Sequence, residues 1–166
     1  VYGKKCINKY LNQKKPFDSC GMIVLDVDCF KSVNDNYGHL FGDKVLARLA
    51  MLLKEVFKDN DSILMRAGGD EFVIFVKDIL NIELVRKNVE LMQKIRNLQF
   101  GKTGYTITCS AGCCYLPENV SGYTYDQLFE NADVALYKAK ERGKNCYVYC
   151  DSLQHFSSMM SEQEEQ

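Results

Sequence analysis

The pattern of apolar and polar positions divides the chain into alternating helical and extended segments. A first helix is predicted over about Lys4 to Lys14. It leads into Cys20 to Asp28, where the unbroken run Met22-Ile23-Val24-Leu25 has the length and content of a strand buried on both faces and ends in carboxylates. From Asp43 to about Lys58, Val45, Leu46, Leu49, Leu52, Leu53 and Val56 recur at helical spacing, which gives an amphipathic helix that must face a sheet. Ser62 to Ala67 and Asp70 to Val76 read as two strands joined by a two-residue turn, because paired glycines, Gly68 and Gly69, supply the positive φ of a tight hairpin. Leu84, Val85, Val89, Met92 and Ile95 mark another helix, and Ile107, Cys109, Ala111, Cys113 and Tyr115 alternate as one face of a strand. Leu128, Ala132, Ala135 and Ala139 repeat at three and four in a last helix that closes at Gly143, before a final strand over Cys146 to Cys150. The order helix, strand, helix, hairpin, helix, strand, helix, strand predicts an α/β (α+β) domain, a mixed sheet covered by helices. No linker divides it, so one domain over residues 1–150 is expected. The remainder, 151–166, shows no strong period and reads as a flexible tail or linker.

Composition narrows the picture. A chain of 166 residues is one domain's worth and buries roughly 70% of its unfolded surface around a single core. With 46% hydrophobic and 26% charged residues, neither disorder nor a fibrous repeat fits. Twenty-one basic against 22 acidic side chains leave a net charge of -1, which argues against a protein that coats nucleic acid or an anionic membrane; an anionic ligand must be held by a local cluster. The longest apolar runs fall far short of the ~20 residues of a membrane span, and no leader-like stretch opens the chain. The expected location is the cytoplasm, either alone or as the cytoplasmic part of a larger, membrane-anchored protein. The eight cysteines contain no C-x-x-C pair, and only His39 and His155 could complete a zinc site. Most of them lie in apolar, strand-like stretches and are expected to be reduced core residues.

The chemistry concentrates in LDVDCFKSVNDNYGHLFGD followed by RAGGDEF. These segments, with D-x-D-x-F-K-x-x-N-D upstream of Gly68-Gly69-Asp70-Glu71-Phe72 and A-D-x-A-L-Y-x-A-K-x-x-G-K-N downstream, resemble the diguanylate cyclase (GGDEF) domain family from the first residues to about Tyr149. The resemblance implies a palm-like fold related to class III nucleotide cyclase catalytic domains.

Read from the residues alone, Asp26 ends a buried strand, and Asp70 and Glu71 occupy a turn that lies beside it if the strands pair. Hard divalent cations favour such oxygens, and phosphoryl transfer needs one to neutralise phosphate charge. The resemblance implies Mg2+ or Mn2+ held by Asp26, the Val27 carbonyl and Asp70, with Glu71 assisting at a second metal or the proton. It makes Asp70 and Glu71 catalytic. Gly68 and Gly69 lack side chains and so let backbone N–H groups approach phosphate. Asp28 reads as supporting structure.

The resemblance places guanine recognition at Asn34 and Asp43. The chemistry suits, since a carboxylate accepts from guanine N1–H and N2–H while an amide bonds O6 and N7; the alternative use of Asp43 is as the N-cap of the helix that follows. His39 matches a further substrate contact. Phe30 and Lys31 match the F-K of the motif, as pocket wall and triphosphate contact. Lys140 and Lys144 match the family's basic pair on the triphosphate. The second is usually arginine, and lysine there keeps the charge but loses the bidentate fork.

Two departures matter. The opening Val1-Tyr2-Gly3-Lys4-Lys5 starts inside the family's D-x-L-T-x-L-x-N-R-R, so an excised catalytic domain with an upstream sensory or dimerisation domain in the full protein is expected. Asp59-Asn60-Asp61-Ser62 stands where the inhibitory R-x-x-D belongs. The implied function is condensation of two GTP into cyclic di-GMP plus two pyrophosphates by a homodimer, with neither nucleic acid nor membrane as partner. The alternative is a GTP-binding regulatory GGDEF module without turnover that controls an attached domain.

Overall fold

The computed structural model describes residues 2–102 and 104–151. Helix α1 (Tyr2–Gln13) leads into β1 (Cys20–Val27), α2 (Phe30–Tyr37) and α3 (His39–Val56). The hairpin strands β2 (Ser62–Arg66) and β3 (Glu71–Lys77) follow, then α4 (Asn81–Arg96), β4 (Cys109–Leu116), α5 (Tyr125–Glu141) and β5 (Tyr147–Asp151). The five strands form one sheet in the order β2-β3-β1-β4-β5. β1 lies at its centre, antiparallel to β3 and β4, and β5 runs parallel to β4 because α5 supplies the crossover between them. This is the expected palm-like mixed sheet with helices on both faces.

The apolar run of β1 is buried on both sides because its alternate residues feed two cores. Ile23, Leu25 and Val27 pack with Ile74 and Val76 against α3 and α4. Met22 and Val24 pack with Val73 and Phe75 against α1 and α5. Helix α5 lies directly on β4, where a Cβ at Gly112 would stand 1.9 Å from the Ala132 carbonyl oxygen and 2.3 Å from the Leu136 nitrogen; only glycine permits this approach. The helix is started by a capping box in which the Thr124 hydroxyl accepts from the Gln127 N–H and the Gln127 side chain accepts from the Thr124 N–H.

Three local expectations change. The pattern gave no helix over Phe30–Tyr37; α2 buries only Val33, too little to impose a period. Helix α3 begins at His39, with Gly38 as its N-cap at φ 85°, so Asp43 stands inside the helix and caps nothing. The hairpin turn is not built on positive φ, since neither Gly68 nor Gly69 is left-handed. Instead the connection Ala67–Asp70 is closed by the Ala67 N–H donating to the Glu71 carbonyl at 2.9 Å. The Arg66 guanidinium also donates to the carbonyls of Gly68 and Gly69. A Cβ at either glycine would meet nothing within 4 Å, so both face open space. Cys20, Cys109, Cys113 and Cys114 are buried as expected, whereas Cys29 is exposed. The predicted tail lies outside the described residues after Asp151, which still belongs to β5.

Candidate active site

The antiparallel pairing of β1 with β3 sets Asp26 opposite Glu71, and the Val27 N–H donates to the Asp70 carbonyl at 3.3 Å, so the end of the central strand and the signature turn are one structure. Asp26 has the parity of Met22 and Val24 and therefore faces the α5 side of the sheet. There its Oδ2 accepts from the Lys140 ammonium in an ion pair whose carboxylate is only 14% exposed. Its Oδ1 is buried and has no hydrogen-bond partner.

Crowding of like charge shapes the electrostatics. Burial and the adjacent Asp26 carboxylate push the Asp70 carboxyl up to about 6. Burial raises Glu71 as well, followed by the charges of Asp133 and Asp26. For Lys140 burial acts downward, but the hydrogen bond and charge of Asp26, with Asp70 and Glu71, outweigh it and hold the ammonium above its ordinary range. Among the described residues no group of three or more His, Cys, Asp or Glu side chains is placed to hold a metal ion. Magnesium does not require one, because it is typically held by one or two carboxylates plus substrate phosphates. The buried Asp26 Oδ1 and the Asp70 carboxyl beside it fit the one or two carboxylates that such a cation takes.

Asp28 plays a different part. Its Oδ1 accepts from Ser110 Oγ at 2.6 Å, and its Oδ2 accepts from Thr108 Oγ1 at 2.7 Å and the Asn145 N–H at 3.0 Å. These bonds tie the end of β1 to β4 and to the loop after α5, which is the supporting role read from the sequence.

A cavity of about 350 Å3 lies between α3 and the β2–β3 hairpin, walled by Leu46, Ala47, Ala50, Leu64 and Phe72, with Asp43, Lys54 and Arg66 supplying charge. Asn34 is not among the residues that wall it; its side chain lies against Gly42, where a Cβ would stand 2.0 Å from Asn34 Oδ1 and 3.1 Å from the Phe30 ring. Asn34 Oδ1 is buried without a partner, and Phe30 is half-buried against the α3 side of the core. Lys31 and His39 are exposed. Lys144, also exposed, brings its Nζ to 3.5 Å from Cys29 Sγ, at the turn that follows β1.

The structure thus gathers Asp26, Val27, Asp70, Glu71 and Lys140 at one point, while Asp43 stands on the cavity wall and Asn34 lies outside it, against Gly42. Two contributors were not singled out from the sequence. Asp133 bears on Glu71, and its place in A-D-x-A-L-Y was a signal at hand. The hold of Arg66 on the glycine carbonyls has no periodic signal.

Fold and site together define a palm-like α/β domain with a carboxylate cluster at the junction of its central strand and a glycine-bearing hairpin. Residues 4–146 match the family described as "Diguanylate cyclase, GGDEF domain", and the chain belongs to that family. Over 146 residues it is 33% identical to diguanylate cyclase DgcS of Shewanella oneidensis, covering 88% of this chain and 47% of that protein. Over 125 residues it is 34% identical to cyclic di-GMP phosphodiesterase PdeR of Escherichia coli, covering 75% of this chain and 18% of that one. The chain therefore spans less than half the length of these relatives. Among solved structures, the active GGEEF domain of a diguanylate cyclase from Vibrio cholerae matches with a TM-score of 0.76 and 26% identity, over 91% of this chain and 92% of that one.

Proposed function

We propose that this domain is a diguanylate cyclase. It holds one GTP and, facing a second copy that holds another, joins the two into cyclic di-GMP with release of two pyrophosphates. The observation that carries the reading is the meeting of Asp26, Asp70 and Glu71 with Lys140 at the end of β1. Relatives named diguanylate cyclase, in Shewanella oneidensis and Escherichia coli among others, support it.

In this reading the cavity beside Asp43 receives the guanine, its apolar walls against the ring faces and the carboxylate on N1–H and N2–H. Asn34 serves O6 and N7, with His39 and Phe30 at the edge. Lys31, Lys140, Lys144 and the open backbone of Gly68 and Gly69 hold the triphosphate. Asp26, the Val27 carbonyl and Asp70 hold Mg2+ or Mn2+, with Glu71 assisting; when bound, the cation neutralises charge on the phosphates and the departing pyrophosphate. Each 3′-hydroxyl attacks the partner's α-phosphorus. An O–P bond forms, the bond to pyrophosphate breaks, and Glu71 accepts the hydroxyl proton. One domain can orient its own GTP but cannot supply both reactants, so the homodimer is the catalyst.

The test is radiolabelled GTP with magnesium supplied to a dimer enforced by fusion. Labelled cyclic di-GMP is expected. GTP binding without product would instead support the second reading, a regulatory module, which the similarity to part of the phosphodiesterase PdeR favours. Absence of GTP binding would overturn both.

A further inference from the structure

Three consecutive residues after α5, Gly143, Lys144 and Asn145, have left-handed backbone with φ of 105°, 64° and 51°. Glycine adopts this conformation freely and asparagine tolerates it, but for lysine it is unfavourable and persists only where the surroundings hold it. Two outside residues grip this turn. Asp28 Oδ2 accepts from the Asn145 N–H at 3.0 Å. Arg96, the last residue of α4, donates from Nε to Asn145 Oδ1 at 2.8 Å and from Nη2 to the Asn145 carbonyl at 2.9 Å. The turn so fixed aims Lys144 back at Cys29, beside the end of β1.

We propose that Arg96 is a positioning residue for the nucleotide's triphosphate: by clamping Asn145 it holds the left-handed turn that keeps Lys144 directed at the phosphates. The inference rests on the GTP-binding reading above. Its physical content is pre-organisation. A lysine is a point charge on a flexible stem, and fixing the backbone from which it springs lowers the ordering cost that binding otherwise incurs. Two N–H groups of one guanidinium reach two acceptors of one residue, which a lysine at position 96 cannot reproduce. Because Arg96 works through Lys144, its effect must depend on Lys144 and on the number of phosphates.

The experiment is calorimetric titration of the full chain with GTP and with GMP, in magnesium, for the wild type, Arg96→Ala, Arg96→Lys, Lys144→Ala and the double variant Arg96→Ala/Lys144→Ala. Arg96→Ala is expected to weaken GTP binding about tenfold and GMP binding less than about twofold. Arg96→Lys should bind GTP as weakly as Arg96→Ala. In the Lys144→Ala background, Arg96→Ala should add nothing. Wild-type GTP affinity in Arg96→Ala, an equal loss for GTP and GMP, rescue by Arg96→Lys, or additive losses in the double variant would each overturn the proposal. Should Arg96→Ala unfold, Asn145→Ala, which removes one of the clamped acceptors, carries the same expectations. A wild-type chain that binds no GTP would overturn the cyclase reading, and this inference with it, before any variant is compared.

Discussion

Asp26 and Lys140 meet as an ion pair across 114 residues of chain, yet the pairing uses only one carboxylate oxygen and leaves the other buried and unpartnered. A carboxylate half satisfied by protein retains capacity for a ligand. Asp26→Asn or Asp70→Asn should therefore lower magnesium-dependent formation of cyclic di-GMP by on the order of a thousandfold or more, since removing one ligand costs several kcal/mol of transition-state stabilisation. Asp70→Asn relieves a contact between like charges and should melt no lower than the wild type, whereas Asp26→Asn also gives up the ion pair with Lys140 and should melt lower. Steady-state turnover with thermal melting checks both halves, and retained wild-type turnover would remove these residues from the cation site.

Asp43 borders the cavity beside the hairpin from within α3 and spends nothing on capping. Adenine offers an amino group and a bare N1 where guanine has O6 and N1–H, so ATP leaves the carboxylate unmatched. Wild type should prefer GTP, and Asp43→Ala should cut incorporation of GTP by roughly 10- to 100-fold while barely changing that of ATP. A competition assay with both nucleotides decides it; equal incorporation by the wild type would end the claim.

In the segment before β2, Asp61 is engaged with Lys77 and Asn60 with Glu83. There is no arginine in Asp59-Asn60-Asp61-Ser62 to grip a product phosphate. On a dimer enforced by a parallel coiled coil, which raises the local concentration of the second half-site toward the millimolar range, specific activity should rise strongly. Cyclic di-GMP should then inhibit only in competition with GTP. A product that lowers the maximal rate at saturating GTP would reveal a separate inhibitory site.

Asp28 accepts from Ser110, Thr108 and the Asn145 N–H at once. Asp28→Ala leaves these donors without their acceptor in a half-buried setting and should cost about 2–4 kcal/mol of stability. Urea unfolding measures this directly; a loss below about 0.5 kcal/mol would show that water replaces the carboxylate freely.

What was legible in the sequence follows from what burial imprints on it. The run Met22 to Leu25 announced the central strand because each residue lies in a core on one face or the other. The motif spacing named Asp26, Asp70, Glu71 and Lys140, and the fold brings them together. Helix α2 imprints no period because Val33 alone is buried, and the start of α3 is unmarked because His39 and Leu40 are exposed. The glycine pair suggests a hairpin that depends on positive φ, whereas a side chain, Arg66, braces it. Such braces, like the grip of Arg96 on Asn145, leave no period and emerge only in three dimensions.

The strand order also dictates when this protein acquires its chemistry. β1 precedes its partner strands in the chain but sits at the middle of the sheet, with Asp26 registered on Glu71 on one side and Ser110 on the other. Its partners are distant in sequence, so assembly is governed by non-local pairing, which is intrinsically slow. Pairing of β3 with β1 alone juxtaposes Asp26, Asp70 and Glu71 without Lys140, which α5 brings. The half-made domain carries its charge conflict uncompensated, and completion of the site must wait until α5 docks against Gly112.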